Sequence, residues 1–315
     1  MRPARLTSAA VALFTLAACT DTNLTGPGVG GAGGTIVFAS DREGSGYDIW
    51  AVGGNGRGLR RLTSDGQQND LAPVLSRDGA RVAWEREIVV AGEGVVAVEL
   101  WVMNADGSDS HAVVSNGSEN RTPSWDADDR GLVYASYADG DFDVWRQPLD
   151  DEGRASGAPV QLTDSPFADQ WPRVSPDGSR IVFQTNRDFD FEIYVMGADG
   201  SDQRNLTSSA FDDRFPAWTP DGARVVWSRF DASFDLWEMT ADGTGARAVV
   251  ATPYDELAPS VSPDGRFVAF QSDAGGARTA LFVAPMAGGP SRELLGDAGA
   301  GGSAQAPWWS AAPPD

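Results

Sequence analysis

The sequence predicts an all-β fold, a six-bladed β-propeller closed by pairing of the C-terminal strand with the N-terminal blade. Three observations predict it. A Pro, any residue, an apolar residue and then Ser, Thr or Asp recur at Pro73, Pro123, Pro172, Pro216, Pro259 and Pro307, 43 to 50 residues apart. A turn signal and a short apolar run follow most copies. The two ends of the body carry complementary halves of one unit. Periods of this size with several short strands per unit are the arithmetic of a propeller blade.

The elements follow in chain order. Arg2 and Arg5 precede Leu6 to Ala18, an apolar and small-residue run of thirteen. That run is too short to span a bilayer and reads as the core of a secretory signal. Leu16-Ala17-Ala18-Cys19 looks like a bacterial lipobox, and it holds the only Cys of the chain. The expectation is a signal peptide over 1–18 and a lipid on Cys19, which leaves no thiol for an internal disulfide. With Thr20 next, the expected location is the outer membrane facing the periplasm. Residues 19–34 are rich in Gly, Thr and Asn and read as a lipid-anchored flexible tether.

Residues 35–310 are the predicted propeller, and 311–315 a C-terminal tail. Pro176-Asp177-Gly178, Pro220-Asp221-Gly222 and Pro263-Asp264-Gly265 each place Pro, Asp and Gly where a tight turn needs them, with Arg77-Asp78-Gly79 a near copy. A second strand follows each turn, as in Ile181-Val182-Phe183 and Val225-Val226-Trp227. Third strands carry an aromatic (Trp50, Trp101, Trp145, Tyr194, Trp237, Phe282), read as packing between blades. Fourth strands end in Leu-Thr, as at Leu62-Thr63, Leu162-Thr163 and Leu206-Thr207. Ile36-Val37-Phe38 is a second strand with no first strand before it. Pro307-Trp308-Trp309-Ser310 is a first strand with no second strand after it. Paired, they close the ring and remove a sheet edge.

Composition excludes several functions. All 24 basic residues are Arg, against 45 Asp and Glu, so the charge is −21. Nucleic acid is an unsuitable partner for such a chain. One His and one Cys leave no ordinary zinc or haem ligand set. Any Ser-His or Cys-His enzyme would have to use His111, which is placed at a blade's outer edge. No Gly-x-Ser-x-Gly elbow is present. The reading is therefore non-catalytic, with a carboxylate-based hydrolase as a distant alternative.

The run Pro-x-Trp-Ser/Thr-Pro-Asp-Gly, then an apolar strand, Asn186-Arg187-Asp188, Ile193-Tyr194-Val195-Met196 and Ala198-Asp199-Gly200, resembles the TolB-like propeller repeat. Ser175 to Thr207 and Trp218 to Met239 are its clearest copies, and the likeness covers residues 35–310. TolB is a periplasmic propeller with a small N-terminal α/β domain, and it binds the lipoprotein Pal and other Tol components. The resemblance implies a propeller in the cell envelope with envelope proteins as partners. This sequence carries no counterpart of the α/β domain, so the expectation is a lipoprotein form of the family.

Strand order puts the Pro-Asp-Gly turns on one face. It puts the inter-blade loops and the loops between strands two and three on the other. That second face holds the candidate partner site, an acidic rim of Asp70, Glu119, Arg121, Asp169, Trp171, Asp212, Asp213, Arg214, Asp255 and Glu256, with Phe215 nearby. Its field would steer a basic or polar protein segment. The alternative is a Ca²⁺-, small-ligand- or glycan-binding propeller. Asp139-x-Asp141-x-Asp143 and Asp188-x-Asp190-x-Glu192 offer the oxygens Ca²⁺ favours, although Val144 stands where an EF-hand loop needs Gly. No other metal or cofactor is expected. Ile88 to Val98 reads as an extended apolar hairpin, either a contact site or a flap folded over its blade.

Overall fold

The structure, a computed structural model, describes residues 33–44, 46–64, 68–274, 276, 278–295 and 303–310. The expected signal peptide, Cys19 and all but the end of the tether lie outside the described residues, as does the 311–315 tail. Twenty-four strands form six four-stranded antiparallel sheets. Five sheets are consecutive in sequence. The sixth is composite, with Ala304–Ser310 on the inner edge of Thr35–Ser40, followed by Asp48–Gly53 and Arg60–Arg61. Thr35 pairs with Ser310 and Ile36 with Trp309, so the two half-units join as one blade. Blades are numbered one to six from this composite sheet.

Each four-strand unit begins with an inner strand, Asn69–Leu75, Asn120–Trp125, Asp169–Val174, Asp212–Trp218, Glu256–Val261 and Ala304–Ser310. Pro has no N–H to give to a ladder, so a strand carrying it needs a bulge or an edge. All six inner strands have a register shift at that Pro. The residue before it takes a positive φ of 46 to 57° at Ala72, Thr122, Trp171, Phe215, Ala258 and Ala306. At three bulges a side chain of the preceding blade catches the freed amide. Glu85 accepts from Thr122 N, Gln184 from Phe215 N and Gln271 from Ala306 N. The bulges therefore tie blades together as well as bend them.

The cores lie between adjacent sheets. Trp84, Trp227, Tyr134, Phe38, Phe183 and Phe270 on second strands are fully buried. Third-strand aromatics stand opposite them, with Trp84 paired to Trp101 and Trp227 to Trp237. Their rings lie 6.1 and 6.4 Å apart, at aromatic contact distance. Several fourth strands are only two residues long, as at Arg60–Arg61, Val160–Gln161 and Arg204–Asn205. Short outer edges of this kind limit pairing with other chains.

Candidate functional site

The expected rim acids fall into two groups. Asp70, Asp169, Asp213 and Glu256 are buried, at 0 to 1% exposure. The first three belong to a repeated latch. Asp213 Oδ1 accepts from Trp227 Nε1 at 2.7 Å and from Arg229 Nε at 2.7 Å, and its Oδ2 accepts from Arg229 Nη2 at 2.9 Å. Asp70 is held the same way by Trp84 and Arg86, and Asp169 by Arg187. Each Arg also lies over the paired aromatics of its blade, as Arg229 does over Trp227 and Trp237. These carboxylates join strands one and two. At 0% exposure none of the three reaches solvent on the rim. The signal that locates them is an Arg a few residues past the second-strand aromatic, as in Trp84-x-Arg86 and Trp227-x-Arg229.

Arg121 reaches Glu85, Glu87 and Glu119, and Arg214 bonds Asp212. Asp212 also accepts from Phe191 N, and Asp255 from Phe234 N. Glu119 is exposed and Asp212 and Asp255 are half-buried. Trp171 and Phe215 meet edge to face at 4.7 Å beside the channel.

The Leu-Thr ends close a second device. Asp48, Asp143 and Glu192 each accept from the Thr two residues past their own blade's fourth strand (Thr63, Thr163 and Thr207). Burial raises Glu192 to about 7, with Asp213 and Asp190 adding repulsion. It raises Glu256 to about 7 as well, with Asp235 and Asp255 adding. An acid held above its ordinary value binds its proton more tightly when folded. This contribution to stability is therefore fullest below about 4.5 and is lost as pH rises through about 7. The turn aspartates Asp177 and Asp242 are shifted the opposite way by hydroxyl and amide donors, so their effect falls at more acidic pH. We expect the melting temperature to drop between pH 5 and pH 8. Glu192→Gln with Glu256→Gln should remove much of the drop, on the order of 1 kcal/mol per carboxylate. Parallel melts at the two pH values check this. An equal drop in the double variant would contradict it.

The carboxylates of the two Asp-rich runs do not converge. Asp143 is bonded to Thr163 and Gln161, Asp188 to Tyr194 and Asn205, and Glu192 to Thr207 and Ser209. Among the described residues no group of three or more His, Cys, Asp or Glu has the geometry to hold a metal ion. The ring nitrogens of His111 lie against the carbonyls of Asp109 and Gly153.

What the loop face does present was not legible from charge alone. Of the eleven exposed large hydrophobic side chains among the described residues, ten lie there. Tyr137, Phe167, Phe189, Phe211, Phe230 and Tyr254 stand on the loops of blades three to six. Val89, Val90, Val95 and Val96 stand on the blade-two hairpin, where Arg81–Val90 pairs with Gly94–Asn104. Phe189 is 98% exposed and holds a φ of 83°. A bulky residue in that region costs energy and needs a reason. The exposed charges among the described residues of this face are all acidic: Glu43, Glu93, Glu119, Asp139, Asp164, Asp188, Asp231 and Asp273. Among the described residues the exposed arginines, including Arg130, Arg204, Arg224 and Arg266, all stand on the Pro-Asp-Gly face.

Comparison with known proteins places this architecture. The family described as the TolB beta propeller domain matches residues 153–312, half of the chain. The Tol-Pal system protein TolB of Anaeromyxobacter dehalogenans is 31% identical over 108 residues, 34% of this chain and 24% of that protein. The chain thus spans about a quarter of the curated relatives it matches. The crystal structure of TolB from Acinetobacter baumannii superposes with a TM-score of 0.73 at 17% identity, covering 88% of this chain and 66% of that one. Hydrazine synthase of Kuenenia stuttgartiensis superposes with a TM-score of 0.70 at 15% identity, covering 89% and 47%. These likenesses show the fold, which serves enzymes and non-enzymes alike. With the repeat, the six closed blades and the family match in agreement, the chain belongs to the TolB β-propeller domain family.

Proposed function

We propose that this protein is a non-catalytic scaffold of the cell envelope that holds a partner protein on its loop face. The observation that carries the reading is the gathering of exposed aromatics and valines on one face, set among exposed carboxylates only. Aromatic anchors surrounded by polar residues are the composition of protein interfaces, and a few such anchors supply most of the affinity. The partner segment is apolar with basic flanks, since the acids steer and the rings bind. Glu119, Asp212 and Asp255 belong to this surface. Asp70, Asp169, Asp213 and Glu256 support it from beneath.

A lipid on Cys19 would tether the propeller to a membrane, the outer membrane in the reading of Thr20, with the loops in the periplasm. The named Tol-Pal relatives support an envelope setting. The absence of catalysis rests on the single His and Cys and on the engagement of the buried acids with Arg, Trp and Thr. A photoreactive residue placed at Phe189 or Phe230 should crosslink one envelope protein in the cells that make this chain. Absence of any adduct at both positions would overturn the reading.

A further inference from the structure

The central channel is closed from within by residues of opposite blades. In four blades the residue after the inner-strand Pro is small or medium (Val74, Ser124, Ala217, Ser260), but in blade four it is Arg173 and in blade one Trp308. The Arg173 guanidinium lies 5.3 Å from the Trp171 ring and 5.4 Å from the Trp308 ring. Beneath it, on the Pro-Asp-Gly side, a cavity of about 230 Å³ opens outward, walled by Trp125, Trp218, Trp308 and Trp309. On the loop side the space shrinks to about 10 Å³.

Arg173 is 7% exposed and forms no salt bridge among the described residues. Glu85 is the one acid that acts on it, and Glu85 is already engaged by Arg121 and Thr122 N. Burial pushes Arg173 down to about 9, so it is still charged at neutral pH. A buried charge without a partner is costly. Its hydrogen bonds account for only part of the group. Nη1 donates to the carbonyls of Thr122, Pro123 and Pro172. A guanidinium has five N–H donors. The Nε–H and the two Nη2–H donors have no acceptor among the described residues. Together they form the side-on fork that fits a carboxylate.

The cavity wall suits the rest of such a ligand. Trp125, Trp218 and Trp309 give their indole N–H groups to the carbonyls of Val74, Arg173 and Gly33, so the indole edges these three residues present to the cavity are apolar. Arg77, at the mouth, adds a second cation and is held by the carbonyls of Pro176 and Ser175. Asp126 is the wall's one carboxylate, and Arg146 neutralises it. The volume is below the ~300 Å³ at which pockets for drug-sized ligands begin, so the ligand is compact.

We propose that this tryptophan-walled cavity binds the carboxylate of a compact apolar ligand, the free acid fitting the Nε/Nη2 fork of Arg173 and the apolar body lying on the rings. The chemistry is shared by a small aromatic acid and by the C-terminus of a peptide. Tryptophan fluorescence titration of the full propeller separates them. The probes are 3-phenylpropionate and its amide, and N-acetyl-Ala-Ala-Phe with a free or amidated terminus. At least one acid should bind on the order of tenfold more tightly than its amide, about 1.4 kcal/mol. Which acid does so identifies the source. Arg173→Met, which keeps an unbranched apolar side chain, should abolish the preference. Equal binding of acid and amide in the wild-type protein overturns the proposal whether or not the variant folds. So does a preference that survives in a folded Arg173→Met protein.

Discussion

Asp213→Ala should cost this propeller about 3–5 kcal/mol of stability, the range for breaking a buried ion pair by removing one partner. The carboxylate is fully buried and takes three hydrogen bonds, two from Arg229 and one from Trp227. Its removal takes the ion-pair partner from a guanidinium with a 12% exposed side chain and the acceptor from the Trp227 indole N–H. Asp213→Asn should lose less, because one oxygen can still accept. Asp139→Asn, at an exposed loop position, should stay within about 0.5 kcal/mol. Urea unfolding of the three variants checks the series. A loss below 1 kcal/mol for Asp213→Ala would show that the latch is not a principal joint.

Removal of residues 303–315 should abolish the cooperative fold. Ala304–Ser310 is the inner strand of the composite blade, and it also ties that blade to blade six. Trp309, 4% exposed, leaves the core, and its amide releases Ser260. The amide of Ala306 releases Gln271, and Gln305 releases the Tyr47 hydroxyl. Thr35–Ser40, buried along its whole length, then becomes an open edge. Gel filtration should find aggregate in place of monomer, and circular dichroism should find no sharp melt. A monomer melting within a few degrees of the full chain would contradict closure as the source of stability.

The sequence makes some layers of this molecule readable and hides others. Turn chemistry is local, so Pro176-Asp177-Gly178 specifies its hairpin without reference to the rest of the chain, and Gly178 duly sits at a φ of 73°. Closure is readable because Ile36 and Trp309 belong to halves of one repeat. The acids are harder. Asp213 and Asp212 are neighbours, and only the alternation of side chains along the strand sends the first inward to Arg229 and leaves the second half-buried beside Arg214. Charge counting treats them alike. The exposed rings are hidden for the opposite reason. Phe189 and Phe230 lie next to strands rich in core aromatics, and burial is decided by the neighbouring blade. Arg173 carries a signal that aligned repeats would have revealed, an Arg where blades two, three, five and six place Val, Ser, Ala and Ser.

The claim that most needs testing is that the loop face holds the partner. Site-specific photocrosslinking can compare the two faces in one experiment, with the reactive residue at Phe189 or Phe230 on one side and at Arg204 or Arg224 on the other. A discrete adduct from the loop positions, absent from the two arginine positions, is the predicted result. The same adduct from Arg204 or Arg224 and none from Phe189 or Phe230 would place the partner on the opposite face and contradict the assignment.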